Sequence, residues 1–184
     1  NSIRKMINDF NPEEMIICWD GAGGSQKRRT VIKEYKEGRK PIRKNYEVAG
    51  MDKQSENENK YWQQEVLMEM LNEMPIIQLM LERTEADDII AYVTKSPKYK
   101  GWQKVIISSD KDFIQLLDDE TVLYRPIAKK AMNKKSVIEE FGISPQNFAI
   151  ARAMAGDKSD NLEGIRGAGL KTISKRLPTL REEK

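Results

Sequence analysis

Three short apolar runs, MIICW at 15–19, IIQLML at 76–81 and VIIS at 105–108, each lead within a few residues to a carboxylate: Asp20, Glu85 and Asp110. Together with Val122–Tyr124 these β-rich runs alternate with segments of helical period at Ile3–Phe10, Tyr61–Glu73, Asp87–Thr94, Phe113–Leu117 and Lys135–Phe141. Such alternation builds an α/β fold, an open and mostly parallel sheet flanked by helices. Parallel strands line up their carboxyl ends along one edge, where ligands bind. The acids at these strand ends are therefore expected to converge in space.

Each acid also has a local explanation. In TEADD, Thr84 could serve as a helix N-cap with Asp87 completing a capping box, and acids in a first turn suit the helix dipole. Ser109 or Asp110 could cap a helix in SSDKDF, and the acids of GDKSDN could begin another. Taken together, Asp20, Glu85, Asp87, Asp88, Asp110, Asp112, Asp157 and Asp160 would crowd one sheet edge and its loops. Two unit charges at ~4 Å repel by ~4 kcal/mol at an effective dielectric of ~20, against the ~0.3–1 kcal/mol that a helix dipole returns. Divalent cations offset such a cluster most directly, and the acids suffice to supply or orient ligands for two ions.

The chain of 184 residues has no histidine, which removes imidazole-based zinc sites, Ser-His-Asp hydrolysis and histidine general bases. Its one thiol, Cys18, lies in an apolar run and reads as a small hydrophobe, so hard oxygen-seeking ions are the metals that fit. That length suits a single α/β domain with one core and a small appended element. No apolar run approaches the ~20 residues that cross a bilayer, so no membrane association and a reducing cytoplasm are expected.

The net charge of +3 conceals a segregation. Residues 26–44 hold Lys27, Arg28, Arg29, Lys33, Lys36, Arg39, Lys40, Arg43 and Lys44 against Glu34 and Glu37, and run into the polar MDKQSENENK, which reads as a mobile loop or excursion. Acids for metal beside a basic surface suit a polyanion whose phosphodiester meets the ions. Tyr35 and Tyr46 could stack on bases or pack against the domain. Gly156, Gly164, Gly167 and Gly169 lie between two helical stretches, where a turn can offer N–H groups to phosphate.

CWDG followed by KRR and EYKEGR, then TEADDI, ISSDKDF and GDKSDNLEGIRGAG, resemble in order the motifs of the 5' nucleases, the flap endonucleases and 5' to 3' exonucleases, most closely the bacteriophage-type members. The resemblance implies a PIN-like core with a helical arch at about 39–74 and a helix-turn-helix element at 142–184 within one nuclease domain. It implies Asp20, Glu85, Asp87 and Asp88 around a first metal and Asp110, Asp112, Asp157 and Asp160 around a second. Mg2+ is implied, Mn2+ may replace it in the family, and K+ often sits at the glycine turn. Lys36 and Arg28 resemble the basic residues at the scissile phosphate; Lys27, Arg29, Tyr35, Arg39, Lys40, Gly164, Gly167, Gly169 and Lys171 would hold nucleic acid.

The implied substrate is a 5' flap or nicked duplex, or an RNA-primed DNA, alongside replication proteins. Nothing before Met15 matches the strand with which the family opens, so the expectation is a longer chain, a second chain that supplies the strand, or a protein that has lost that ligand. A DNA junction-binding module impaired in catalysis is the alternative. A receiver-like or phosphatase-like α/β domain is a more distant one, since it leaves the basic segment and the glycine turn without a role.

Overall fold

The computed structural model describes residues 2–37 and 53–183. Chain order is α1 (Ser2–Phe10), β1 (Met15–Trp19), α2 (Gln26–Val31), α3 (Lys53–Asn72), β2 (Ile76–Met80), α4 (Ala86–Lys95), β3 (Lys104–Ile107), β4 (Thr121–Arg125), β5 (Lys130–Met132), α5 (Lys134–Phe141), α6 (Pro145–Ala155) and α7 (Leu170–Arg176). Contacts group the chain into two compact units, Asn1–Gly24 with Lys40–Ala86 and Ser25–Arg39 with Asp87–Lys184.

In the first unit β1 and β2 run parallel, from Met15 opposite Ile76 to Trp19 opposite Met80. The polar residue in β2 explains how α3 attaches. Gln78 accepts from Trp19 Nε1 at 2.9 Å and donates through Nε2 to Met68 O at 2.9 Å and Asn72 Oδ1 at 2.7 Å. One side chain thus ties both strands to the end of the helix, and Leu71 is buried beside this junction. Gly21 follows β1 because nothing larger fits: a Cβ there would lie 1.7 Å from the Leu81 carbonyl oxygen.

In the second unit β3 pairs parallel with β4, and β5 returns antiparallel to β4. Its apolar core joins Ile114, Leu123, Val137, Ile143, Phe148 and Ala151, all fully buried. Phe141 meets Phe148 edge-on, centroids 5.4 Å apart, the favoured geometry for ring quadrupoles. Helix α5 starts on a reciprocal cap, Asn133 accepting from the Ser136 amide while Ser136 Oγ accepts from the Asn133 amide, both at 2.9 Å. It stops at Gly142, whose φ of 68° is the left-handed conformation that ends helices without steric cost. Among the described residues no helix is long and apolar enough to cross a membrane.

The strands fall within a residue of the apolar runs that foretold them, and three corrections follow. Phe113–Leu117, expected as an ordinary helix, is a tighter 3-10 turn over Lys111–Leu116, capped by Asp110. The polar stretch read as a mobile loop lies partly in α3, whose first residue is Lys53. Lys, Gln and Glu favour helix without any apolar stripe, which is why periodicity missed it. Strand β5, only KAM, is too short and too exposed at its start to carry a period of its own.

The 3-10 turn leads to Asp118. Burial pushes its carboxyl up, but a hydrogen bond from Lys95, the Glu120 amide and the Lys95 charge outweigh this and hold it at about 2. A depressed carboxylate stabilises the fold above its unfolded value and ceases to do so as pH falls through the folded one. Asp118→Asn is therefore expected to lower the thermal midpoint at neutral pH, the gap from wild type narrowing below about pH 4 and closing near about pH 2. The pair is half exposed, so solvent screening limits the effect to under about 1 kcal/mol.

Candidate metal and phosphate site

The expected N-cap of α4 is supplied from far away in sequence. Thr84 Oγ1 donates to the Glu82 carbonyl, and it is Asp20 Oδ1, at the end of β1, that accepts from the Ala86 amide at 2.8 Å. The docking is reinforced by Gly21 N–H to Thr84 O at 3.0 Å and Arg83 N–H to Ala22 O at 2.9 Å. Glu85 is buried, 6% exposed, its Cγ in the path of any Cβ at Gly24. Asp20, directly after β1, thus reaches the residue next to Glu85, which lies five positions past the end of β2.

The second unit holds the remaining candidates. Asp87 and Asp88 occupy the first turn of α4, where the helix dipole favours them. Asp88 takes a bidentate grip from Arg28 of α2, at 2.9 and 3.2 Å, so two residues assigned separately to metal and phosphate hold each other. Asp110 receives the Asp112 amide at 2.9 Å and starts the 3-10 turn.

Asp157 begins a closed loop. It exchanges both backbone hydrogen bonds with Leu162, at 2.9 and 2.8 Å, and its Oδ1 accepts from the Ser159 amide at 2.8 Å and the Ser159 hydroxyl at 2.6 Å. Loop 157–162 can close there because Gly156 and Gly164 approach each other. A Cβ on Gly156 would lie 2.4 Å from the Gly164 nitrogen.

Arg152, in the last turn of α6, joins these acids. Its Nε donates to Asp112 Oδ1 at 3.0 Å, and its Nη2 pairs closely with Asp157 Oδ2. Burial works against the Arg152 charge, yet the Asp112 and Asp157 carboxylates more than compensate and raise its pKa. Burial likewise pushes Asp157 up, and the Ser159 hydroxyl and amide with Arg152 outweigh it to hold the carboxyl low. Asp112, Arg152, Asp157, Asp160 and Glu163 line one cavity of about 390 Å3. Sequence reasoning passed over Arg152, one base among many, which its place in the last turn of α6 brings to these acids.

These residues suit a hard divalent cation by donor chemistry, since the acids at this cavity offer only carboxylate oxygen. Among the described residues no three acids close on a common point as ligands do. Arg152 stands where the positive charge is needed.

The basic candidates divide. Lys27 and Arg29 are exposed on α2, and Lys171 on α7. Tyr35 is buried, 8% exposed, which corrects the stacking role expected of it in favour of packing against the domain. The glycines differ as well: a Cβ on Gly164 would strike Ala155 and Gly156, while Gly167 and Gly169 have open space. Arg39 and Lys40, with Tyr46, lie outside the described residues.

The first unit carries a parallel pair of strands followed by carboxylates, and the second an acid-lined cavity, both within an α/β fold. The profile of the "5'-3' exonuclease, N-terminal resolvase-like domain" matches residues 1–142, and the chain belongs to that family of nucleases. The 5'-3' exonuclease of Aquifex aeolicus is 32% identical over 167 residues, which are 91% of this chain and 53% of that protein. DNA polymerase I of Bacillus subtilis is 32% identical over 181 residues, 95% of this chain and 19% of that one. The chain thus spans about half the length of the exonuclease it matches. In structure it is similar to a bacteriophage T5 flap endonuclease in a pseudo-enzyme-product complex with DNA and metal ions, with a TM-score of 0.72 at 19% identity, over 96% of this chain and 65% of that one.

Proposed function

We propose that the chain is the nuclease domain of a divalent-metal-dependent 5' nuclease that hydrolyses phosphodiesters at a 5' flap or 5' end of duplex DNA. The observation that carries this reading is the cavity at which Arg152 gathers Asp112 and Asp157 with Asp160 alongside. Asp110, Asp112, Asp157 and Asp160 would hold one ion, and Asp20, Glu85, Asp87 and Asp88 are the proposed set for a second. Magnesium is the proposed metal, with manganese able to replace it, and potassium is proposed for the glycine loop. Bound there, divalent ions supply Lewis acidity toward a phosphate oxygen and lower the cost of gathering acids.

The chain's own groups do the rest. Asp110 and Asp157 each use one carboxylate oxygen to cap their own loops, at 2.9 and 2.8 Å, which fixes the carboxylates before substrate arrives. Lys36 and Arg28 would face the phosphate charge that develops as the bond breaks. Lys27, Arg29 and Lys171 give a cationic surface for duplex backbone, where affinity falls steeply with salt. Helix α3 is the described part of the proposed arch, and α6, the glycine loop and α7 are the proposed helix-turn-helix element.

The test is incubation of a labelled 5'-flap duplex with Mg2+, then with Ca2+ or EDTA, scoring product length and binding together. Product only with Mg2+ supports the reading; structure-selective binding with no product under any metal would leave a junction-binding module instead. Lys36→Ala is expected to lower kcat about tenfold or more while duplex affinity changes less than about threefold, as measured by single-turnover cleavage and by titration in Ca2+.

A further inference from the structure

The turn that carries Lys36 is held by the acid loop itself. The Lys36 amide donates to the Asp160 carbonyl at 3.1 Å, and Asn161 Nδ2 donates to the Glu34 carbonyl at 3.2 Å, across 127 positions of sequence. Both residues have left-handed backbones, φ 57° at Lys36 and 59° at Asn161. Asn enters that region readily, whereas Lys does so at a steric cost that the surroundings must offset. The surroundings here are plain: Tyr35 is buried at 8% exposure next to it, and Lys36 Nζ lies 5.1 Å from that ring's centroid.

Loop 157–162 therefore does two things. It presents Asp157 and Asp160 to the cavity, and through its backbone and Asn161 it fixes where the Lys36 turn can stand. We propose that Asn161 is a positioning residue, which sets the Lys36 ammonium in register with the Asp157 and Asp160 carboxylates, so that Lys36 and the ion those acids would hold address the same phosphate. Asn161 is exposed and does not line the cavity, so its side-chain bond to the Glu34 carbonyl is the tertiary contact that the substitution below isolates. The proposal rests on the reading of Lys36 as a phosphate contact.

Asn161→Gly isolates the side chain, since glycine keeps the left-handed backbone at no steric cost and loses only the donor. The full chain, Asn161→Gly, Lys36→Ala and the double variant are compared on the labelled 5'-flap duplex in Mg2+. Asn161→Gly is expected to lower kcat about tenfold, with KM and Ca2+ binding within about twofold, because a displaced charge weakens turnover more than docking. Its thermal midpoint should stay at the wild-type value while the Lys36 amide exchanges hydrogen faster. The double variant should be no slower than Lys36→Ala alone, since Asn161 acts through Lys36.

Losses that multiply in the double variant would overturn the proposal, as would an unchanged kcat for Asn161→Gly where Lys36→Ala is impaired. Unaltered exchange of the Lys36 amide would overturn it without any reference to turnover. Wild-type turnover by Lys36→Ala would instead remove the phosphate contact on which the proposal stands, an outcome recognisable because faster amide exchange in Asn161→Gly persists.

Discussion

Exchanging Asp157 for asparagine is expected to lower Mg2+-dependent flap cleavage at least about a hundredfold, with duplex binding in Ca2+ changing less than about threefold. The carboxamide keeps an oxygen for the Ser159 amide and hydroxyl, now 2.8 and 2.6 Å away, so the loop retains its closure. What is lost is charge: Arg152 keeps only Asp112 as a partner, and a cation loses an anionic oxygen. Ser159→Ala is the matching control, since it removes the hydroxyl bond and leaves the carboxylate. A smaller change, about tenfold, is expected from it, the size of one lost hydrogen bond to a carboxylate, ~1.5 kcal/mol. A tenfold loss of binding in Asp157→Asn with intact turnover would reject the metal-ligand role.

The second large effect is on folding. Gly164→Ala puts a Cβ 2.2 Å from the Ala155 carbonyl carbon and 2.3 Å from the Gly156 nitrogen, and every atom in its way is backbone. Neither side can rotate aside, so the end of α6 and loop 157–162 must separate, which costs about 3 kcal/mol or more. Urea unfolding should show a clearly lower midpoint, and Arg152 should lose its fixed place beside Asp157. Gly169→Ala is the contrast: φ is −76° there and no atom lies within 4 Å of the added carbon, so stability should hold within about 0.5 kcal/mol. Equal damage from the two substitutions would show that the close approach of 156 and 164 does not hold this loop.

The candidate acids were legible because strand ends can be read from apolar runs. Asp20 follows MIICW directly and Glu85 follows IIQLML by four residues, and the structure makes both runs parallel strands. Their partners were not legible. The local reading put Thr84 at the head of α4, yet the oxygen that takes the Ala86 amide comes from Asp20, 66 residues away. A capping pattern of short range cannot disclose such a donor–acceptor pair, because several local caps have nearly the same energy and only proximity in the fold decides among them.

Arg152 makes the same point from the side of charge. It is one base among many in the sequence, and its importance arises because α6 packs on the 3-10 turn 111–116 and so brings a guanidinium to Asp112 and Asp157 together. Tyr35 reverses the case: aromatic among bases, it could stack on a base or pack against the domain, and its burial decides for packing.

Residue type and spacing alone determined the α/β alternation, the absence of imidazole chemistry and the positions of the eight acids, since these depend on local period and composition, while the order of whole motifs carried the resemblance to the family. Tertiary structure alone decided that Arg28 holds Asp88, that Arg152 bridges two acids and that Asn161 reaches the Lys36 turn. Charge pairs and hydrogen bonds act over a few ångströms of space, and distance along the chain does not encode which side chains come that near.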